Sequence, residues 1–174
     1  MAALEWSEAL ALDLSAMDDT HKEFVDLLAQ VNAAADAQLL PVWDALVAHT
    51  DGHFGQEDRW MQSTGFDAGN CHSLQHRVVL QIMREGAQRG EQGEFHVIRG
   101  MAADLASWFT HHAKTMDAAL AQHLKAVGFD PATGVVHQPQ AVPATAIQGC
   151  GGACSSGDDH LDHAERAAQL AQPA

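Results

Sequence analysis

The sequence predicts an all-α protein: an antiparallel up-and-down four-helix bundle with an N-terminal arm and a mostly irregular C-terminal tail. Three observations predict it. The chain has no Tyr, little clustering of β-branched residues and much Ala, Leu, Gln and His, a composition that favours helix over sheet. Four stretches carry apolar residues at helical spacing, joined by short segments rich in turn and cap residues. The polar residues that interrupt those apolar stripes all fall at one end of such a bundle. With 174 residues, 47% of them hydrophobic, one domain with a real core is expected.

Residues 1–18 read as an irregular arm, with Trp6, Leu10, Leu12, Leu14 and Met17 as apolar anchors. Asp18, Asp19 and Thr20 are cap-type residues, so the first helix is expected to start there and run to about Asp36. Its stripe is His21, Phe24, Leu27 or Leu28, Val31 and Ala35. Pro41 fits the first turn of the second helix. The stripe of that helix is Leu46, Thr50, His53, Glu57 and Trp60, and Gly65 is a natural stop. Asp67 or Asn70 can cap the third, whose face carries His72, His76, Val79 and Met83. Gly86, Gly90 and Gly93 mark the next turn. The fourth is expected from near Glu94 to Gly128, with Ile98, Met101, Leu105, Trp108, His112 and Met116 on one face. The bundle is expected to occupy 1–129. Residues 130–174 form a low-complexity tail, with a short helix from about Asp158 to Leu170.

Composition excludes several classes. The formal net charge is −14, and an acidic chain without a basic stripe is poorly suited to nucleic acid or an anionic membrane. No apolar run reaches the length of a membrane span. Met1 to Leu14 holds Glu5, Glu8 and Asp13 and no basic residue, unlike a secretory signal, so the chain reads as cytoplasmic. Three cysteines are no disulfide framework. Cys71 reads first as a buried thiol, with a redox role as the alternative.

Twelve histidines are the compositional anomaly. His53 and Glu57 lie four apart on one helix face, as do His72 and His76. In an antiparallel bundle the starts of helices one and three meet the ends of two and four. His21, His72 and His76 therefore share one end with His53, Glu57, His112 and Asp117. Five imidazoles and two carboxylates are costly to bury unpaired, and coordination removes that cost. The set suits iron, manganese or zinc. The absence of cysteine among the seven argues against a structural zinc site, and two carboxylates suffice to bridge two metals. Asp117 does not follow from spacing, because five residues after His112 is about 140° round an α-helix.

These residues resemble the bacterial hemerythrins. The resemblance is carried by Trp6 with Met17-Asp18-Asp19-Thr20-His21-Lys22, by His53-Phe54-Gly55-Gln56-Glu57-Asp58 with Met61, by His72-Ser73-Leu74-Gln75-His76, and by Trp108, His112 and Asp117. It covers residues 6 to about 127. It implies two iron ions joined by a bridging oxo or hydroxo group. His72, His76 and His112 would hold one, His21 and His53 the other, and Glu57 and Asp117 would bridge them. It also implies reversible dioxygen binding on the His21/His53 side. Phe109 and Ala113 stand where relatives often carry Leu and Ile, and both are expected to line the dioxygen pocket.

The expected function is that of a dioxygen carrier, store or sensor. Five histidines and two carboxylates favour reversible binding over O–O cleavage, and no general acid or base is evident beside the seven. The chain therefore reads as a binding protein rather than an enzyme. The alternatives are a di-iron oxidase, peroxidase or nitric-oxide-handling enzyme, or an iron buffer, on the same bundle. The expected partners are dioxygen and an oxygen-consuming enzyme or redox partner. His49, His96, His111 and His123 read as core or boundary residues. Cys150, Cys154, His160 and His163 could hold a zinc or sense redox state, but an unstructured tail is the first reading.

Overall fold

The computed structural model describes residues 4–149. The helices are α1 (Ser15–Ala33), α2 (Asp36–Ser63), α3 (Cys71–Glu91) and α4 (Phe95–His112). A π-helical turn, Ala113–Asp117, continues α4 into α5 (Ala118–Ala126), so these three make the fourth rod of the bundle. Two-residue strands follow, β1 (Phe129–Asp130) and β2 (Val135–Val136), paired antiparallel. Among the described residues no helix is long and apolar enough to cross a membrane.

Helix α1 starts at Ser15, before the expected caps. Asp18 sits in its first turn and reaches back instead. Its Oδ1 accepts from the Leu12 N–H at 2.7 Å and its Oδ2 from the Leu14 N–H at 3.2 Å, which ties the arm to the helix end. The helix stops at Ala33, so Ala35 lies outside it and is exposed. The stop is set from far along the chain. Arg99 Nη2 on α4 donates to the Ala34 carbonyl at 3.0 Å and to the Asp36 carboxylate at 2.7 Å, fixing the short connection.

Helix α2 consequently begins at Asp36 and Pro41 lies inside it, where it leaves the Ala37 carbonyl without an N–H four residues on. Its end follows expectation. Gly65 adopts φ +100, and the Phe66 N–H reaches the Met61 carbonyl at 3.0 Å, a Schellman closure. Asn70 caps α3, its side chain accepting from the Ser73 N–H at 3.1 Å.

Gly86 and Gly90 do not turn the chain but sit buried inside α3. A Cβ at Gly86 would lie 2.5 Å from Met101 Sδ, and one at Gly90 2.6 Å from Ile98 Cδ1. Both permit close approach of α3 to its neighbours. Only Gly93, at φ +82, serves the turn.

The core is two apolar clusters. Phe24, Leu28, Leu39, Trp43, Met83, Ile98, Met101, Leu105 and Phe109 belong to one. Met17, Trp60, Met61, Phe66, Leu120, Leu124, Val127 and Phe129 belong to the other. Along α1, α2 and the fourth rod, the polar residues come between the two.

Residues 130–149, read in the sequence as irregular, are tied to the bundle. Ile147 forms a parallel bridge with Phe66, its N–H donating to the Gly65 carbonyl at 2.9 Å and its carbonyl accepting from Asp67 at 3.0 Å. The Cys71 N–H donates to the Gln148 carbonyl at 3.0 Å. Cys71 itself is half-buried and disulfide-bonded, not the free thiol expected. This segment lies across the start of α3, a long-range contact that an odd cysteine count does not reveal. The expected helix from Asp158 to Leu170, and the Cys150, Cys154, His160 and His163 group, lie outside the described residues.

Candidate metal centre

The structure brings all seven candidate residues together. Glu57, His72, His76, His112 and Asp117 offer one ligand atom each within 4.8 Å of one another, as do His21, His53 and Glu57. All seven side chains are buried.

Local folding explains each placement. His21 lies on the buried face of α1, between Met17 and Phe24. His53 and Glu57 lie one turn apart on α2, between Thr50 and Trp60. His72 and His76 occupy the first turns of α3, after the Asn70 cap. Asp117 reaches the site because the chain from Ala113 to Asp117 is π-helical. A turn closed by i→i+5 bonds takes one residue more than an α turn, so residues five apart come back to one face. This removes the 140° offset that the α-helical period gives.

Each carboxylate spans the two histidine groups. Glu57 Oε1 is 3.0 Å from His53 Nε2, and its Oε2 is 3.5 Å from His72 Nε2 and 3.4 Å from His76 Nε2. Asp117 Oδ1 is 3.0 Å from His72 Nε2 and 3.1 Å from His112 Nε2, while its Oδ2 is 3.2 Å from His21 Nε2. His112 Nε2 also lies 3.0 Å from that of His72 and 3.3 Å from that of His76. Ligands at right angles on an ion, with bonds of about 2.1 Å, stand about 3.0 Å apart, so these separations fit a shared cation.

Polar satisfaction points the same way. His21 Nδ1 and Nε2, His53 Nδ1, Glu57 Oε2 and both Asp117 oxygens are buried without a hydrogen bond. The 3.2 Å approach of His21 to Asp117 is close but not aligned for one. Buried polar groups are nearly always paired, and a cluster of orphans with convergent lone pairs fits metal ions.

Charges follow the same geometry. Burial, and the neighbouring His72 and His76, push His112 down to about 4 despite the Asp117 carboxylate, so its imidazole is neutral and its lone pair free near neutrality. Burial and Asp117 work against the charge on Glu57, but His53 and His72 outweigh them and hold its carboxyl well below the usual range. Burial likewise opposes the charge on Asp117, and His112, His21 and His72 prevail. For His21 burial is again the largest influence, yet Asp117 leaves it raised.

The sequence did not reveal the layer outside this cluster. Asp58 Oδ1 lies 3.1 Å from His76 Nδ1 and accepts from Ser73 Oγ at 2.7 Å. Gln75 Oε1 lies 3.2 Å from His112 Nδ1. Phe54 stacks on His76 with ring centres 4.0 Å apart, and Trp108 stacks on His112 at 4.4 Å. Phe109 meets His21 edge-on at 5.1 Å and stacks on Phe24 at 4.5 Å. Phe109 thus walls the two-histidine side, and Ala113 is fully buried in the same apolar cluster. The remaining histidines are peripheral: His49 and His123 pair with the Thr20 and Thr64 carbonyls, and His96 and His111 are exposed.

Comparison with known proteins agrees with this geometry. The family model described as Hemerythrin HHE cation binding domain matches residues 12–124. The chain is 37% identical over 117 residues to a protein of Ralstonia nicotianae named Bacteriohemerythrin, covering 67% of this chain and 85% of that one. It is 26% identical over 130 residues to a protein of the same name from Stenotrophomonas maltophilia, covering 72% and 84%. A third so named, from Pseudomonas aeruginosa, is 26% identical over 122 residues, covering 68% and 79%. No solved structure matches.

Proposed function

The chain belongs to the hemerythrin family, and from that premise we propose that it holds a pair of iron ions and binds dioxygen reversibly, as a carrier, store or sensor. The observation that carries the reading is the reach of each carboxylate. Glu57 and Asp117 each direct one oxygen to the three-histidine group and the other to His21 or His53. Two separate single-ion sites would not need both carboxylates to face both ways.

In this reading His72, His76 and His112 hold one iron, His21 and His53 the other, and Glu57 and Asp117 bridge the two. With a solvent-derived oxo or hydroxo bridge, the first iron has six ligands and the second five. The open position lies on the His21/His53 side. Two ferrous ions there supply the electrons that dioxygen accepts on binding and returns on release.

The residues around the pair favour binding over turnover. Phe109 and Phe24 give the two-histidine side a hydrocarbon wall, which excludes water and offers no proton. The one carboxylate just outside the cluster, Asp58, is engaged by His76 and Ser73, away from that side. O–O cleavage needs protons delivered to the departing oxygen, and the wall has none to give.

The test is anaerobic reconstitution with ferrous iron, exposure to air, and visible absorption. Two irons per chain and a charge-transfer band that rises with oxygen and falls on purging are expected. Conversion to a stable oxidised spectrum, with no reversible band, would replace this reading with that of a di-iron oxidase or peroxidase.

A further inference from the structure

The two halves of the cluster are not built alike beyond their ligand atoms. In the three-histidine half, the far nitrogens of His76 and His112 meet acceptors: Asp58 at 3.1 Å and Gln75 at 3.2 Å. An acceptor there places the ring proton on Nδ1 and leaves the Nε2 lone pair facing the cluster. Asp58 is itself oriented by the hydroxyl of Ser73. Ring rotation is further limited by the stacking of Phe54 on His76 and of Trp108 on His112.

In the two-histidine half, His21 Nδ1 and His53 Nδ1 are buried and meet no acceptor among the described residues. The proton of His53 is better placed on Nε2, where Glu57 Oε1 lies 3.0 Å away. That is the wrong tautomer for coordination, because it occupies the lone pair an ion needs. An ion entering this half must displace that proton and leave the Nδ1 proton unpaired in an apolar wall.

We infer that Asp58 and Gln75 are positioning residues that preset His76 and His112, so that the three-histidine half takes its ion first and holds it more tightly, while the His21/His53 half fills second and empties first. The inference rests on the two-ion reading above. It concerns order and affinity, which that reading leaves open.

The test is anaerobic titration of the metal-free full chain with ferrous iron, followed by release to a competing chelator. Wild-type protein should take up two irons in two steps of affinity at least about tenfold apart and release them in two phases. Outer partners of metal-bound histidines are typically worth about 10–100-fold in affinity. Asp58→Ala or Gln75→Ala should weaken the tight step by that amount and leave the weak step within about threefold. Asp58→Asn, which keeps an acceptor oxygen but not its charge, should fall between Asp58→Ala and wild type, a graded rescue that general loosening of the fold would not give. Far-ultraviolet circular dichroism of each variant checks that the bundle is intact. Two equal steps in wild type, or equal weakening of both steps by Asp58→Ala, would overturn the inference while leaving the two-ion reading in place. Uptake of no iron, or of one, would overturn both.

Discussion

His21 tests whether the bundle gives up stability to keep its polar centre. Its side chain is fully buried, and neither ring nitrogen has a hydrogen bond. A buried polar group left unpaired costs roughly 1–3 kcal/mol. His21→Leu removes both nitrogens, and its neighbour Phe109, at 5.1 Å between ring centres, is apolar. The loss on the other side is small: Asp117 forfeits its 3.2 Å approach to His21 but keeps His72 and His112 at 3.0 and 3.1 Å. Metal-free His21→Leu should therefore be more stable than metal-free wild type by about 1–3 kcal/mol. At roughly 2–4 °C per kcal/mol for a chain of this size, the melting temperature should rise by about 2–12 °C. Iron reverses the order. A ligand at a thousand times its dissociation constant stabilises by about 4 kcal/mol, and the variant cannot collect the share that belongs to its missing ligand. Thermal unfolding followed by circular dichroism, with chelator and with ferrous iron, gives all four melting temperatures. If metal-free His21→Leu melted below metal-free wild type, His21 would be an ordinary core residue and the reasoning would fail.

Three further outcomes follow from other parts of the structure. Burial holds His112 at about 4 in the fold against 6.5 in the unfolded chain, so below pH 6.5 the unfolded state binds a proton that the folded state refuses, and stability falls as pH falls toward 4. The raised His21 works in the opposite sense, its contribution complete below 6.5 and fading as pH rises; metal-free wild type should therefore lose on the order of 2 kcal/mol more than His112→Gln between pH 7 and 5 in urea unfolding, and equal losses would refute the assignment. Asp117→Asn keeps the shape but not the two-sided carboxylate, and elemental analysis should find at most one iron per chain; retention of two would show that Asp117 does not bridge. Gly90→Ala should lower the melting temperature by about 2–4 °C, because its Cβ meets Ile98 at 2.6 Å and Leu40 at 3.0 Å, an overpacking worth about 1–3 kcal/mol that exceeds the gain in helix propensity; Gly100→Ala, with nothing within 4 Å of its Cβ, should raise it.

The parts legible in the sequence are those governed by local period. Leu46, Thr50, His53, Glu57 and Trp60 recur at helical spacing, and all five are buried on one face of α2. Short connections then force antiparallel neighbours, which is enough to bring His21, His53, His72, His76 and His112 to one level. The illegible parts are set by partners distant in sequence. Ala34 ends α1 because Arg99 holds its carbonyl, and an Ala-Ala pair carries no stop signal of its own. Gly86 and Gly90 look like turn residues until α4 and Trp43 are seen against them. Asp58 and Gln75 sit in plain view beside His76 and Glu57, yet their function lies in hydrogen bonds 18 and 37 residues away in the chain. Asp117 was out of phase on any α-helical count, and its place depended on a backbone irregularity that no residue type between Ala113 and Met116 announces.

That irregularity has a consequence for how the chain can change length. A deletion anywhere in 113–116 would restore regular α-helical bonding, and by local backbone criteria it would look like a repair. It would also swing everything downstream by about 100°. Asp117 would leave the cluster, and with it Leu120 and Leu124 would leave the second apolar cluster, where both are fully buried. Losing the carboxylate by this route is thus coupled to losing one end of the core. A lineage that no longer needed the site could not quietly drop the extra residue; it would have to replace Asp117 itself and keep the odd turn as a relic. The residue count between His112 and Leu120 is consequently a feature that folding selects for even where chemistry does not.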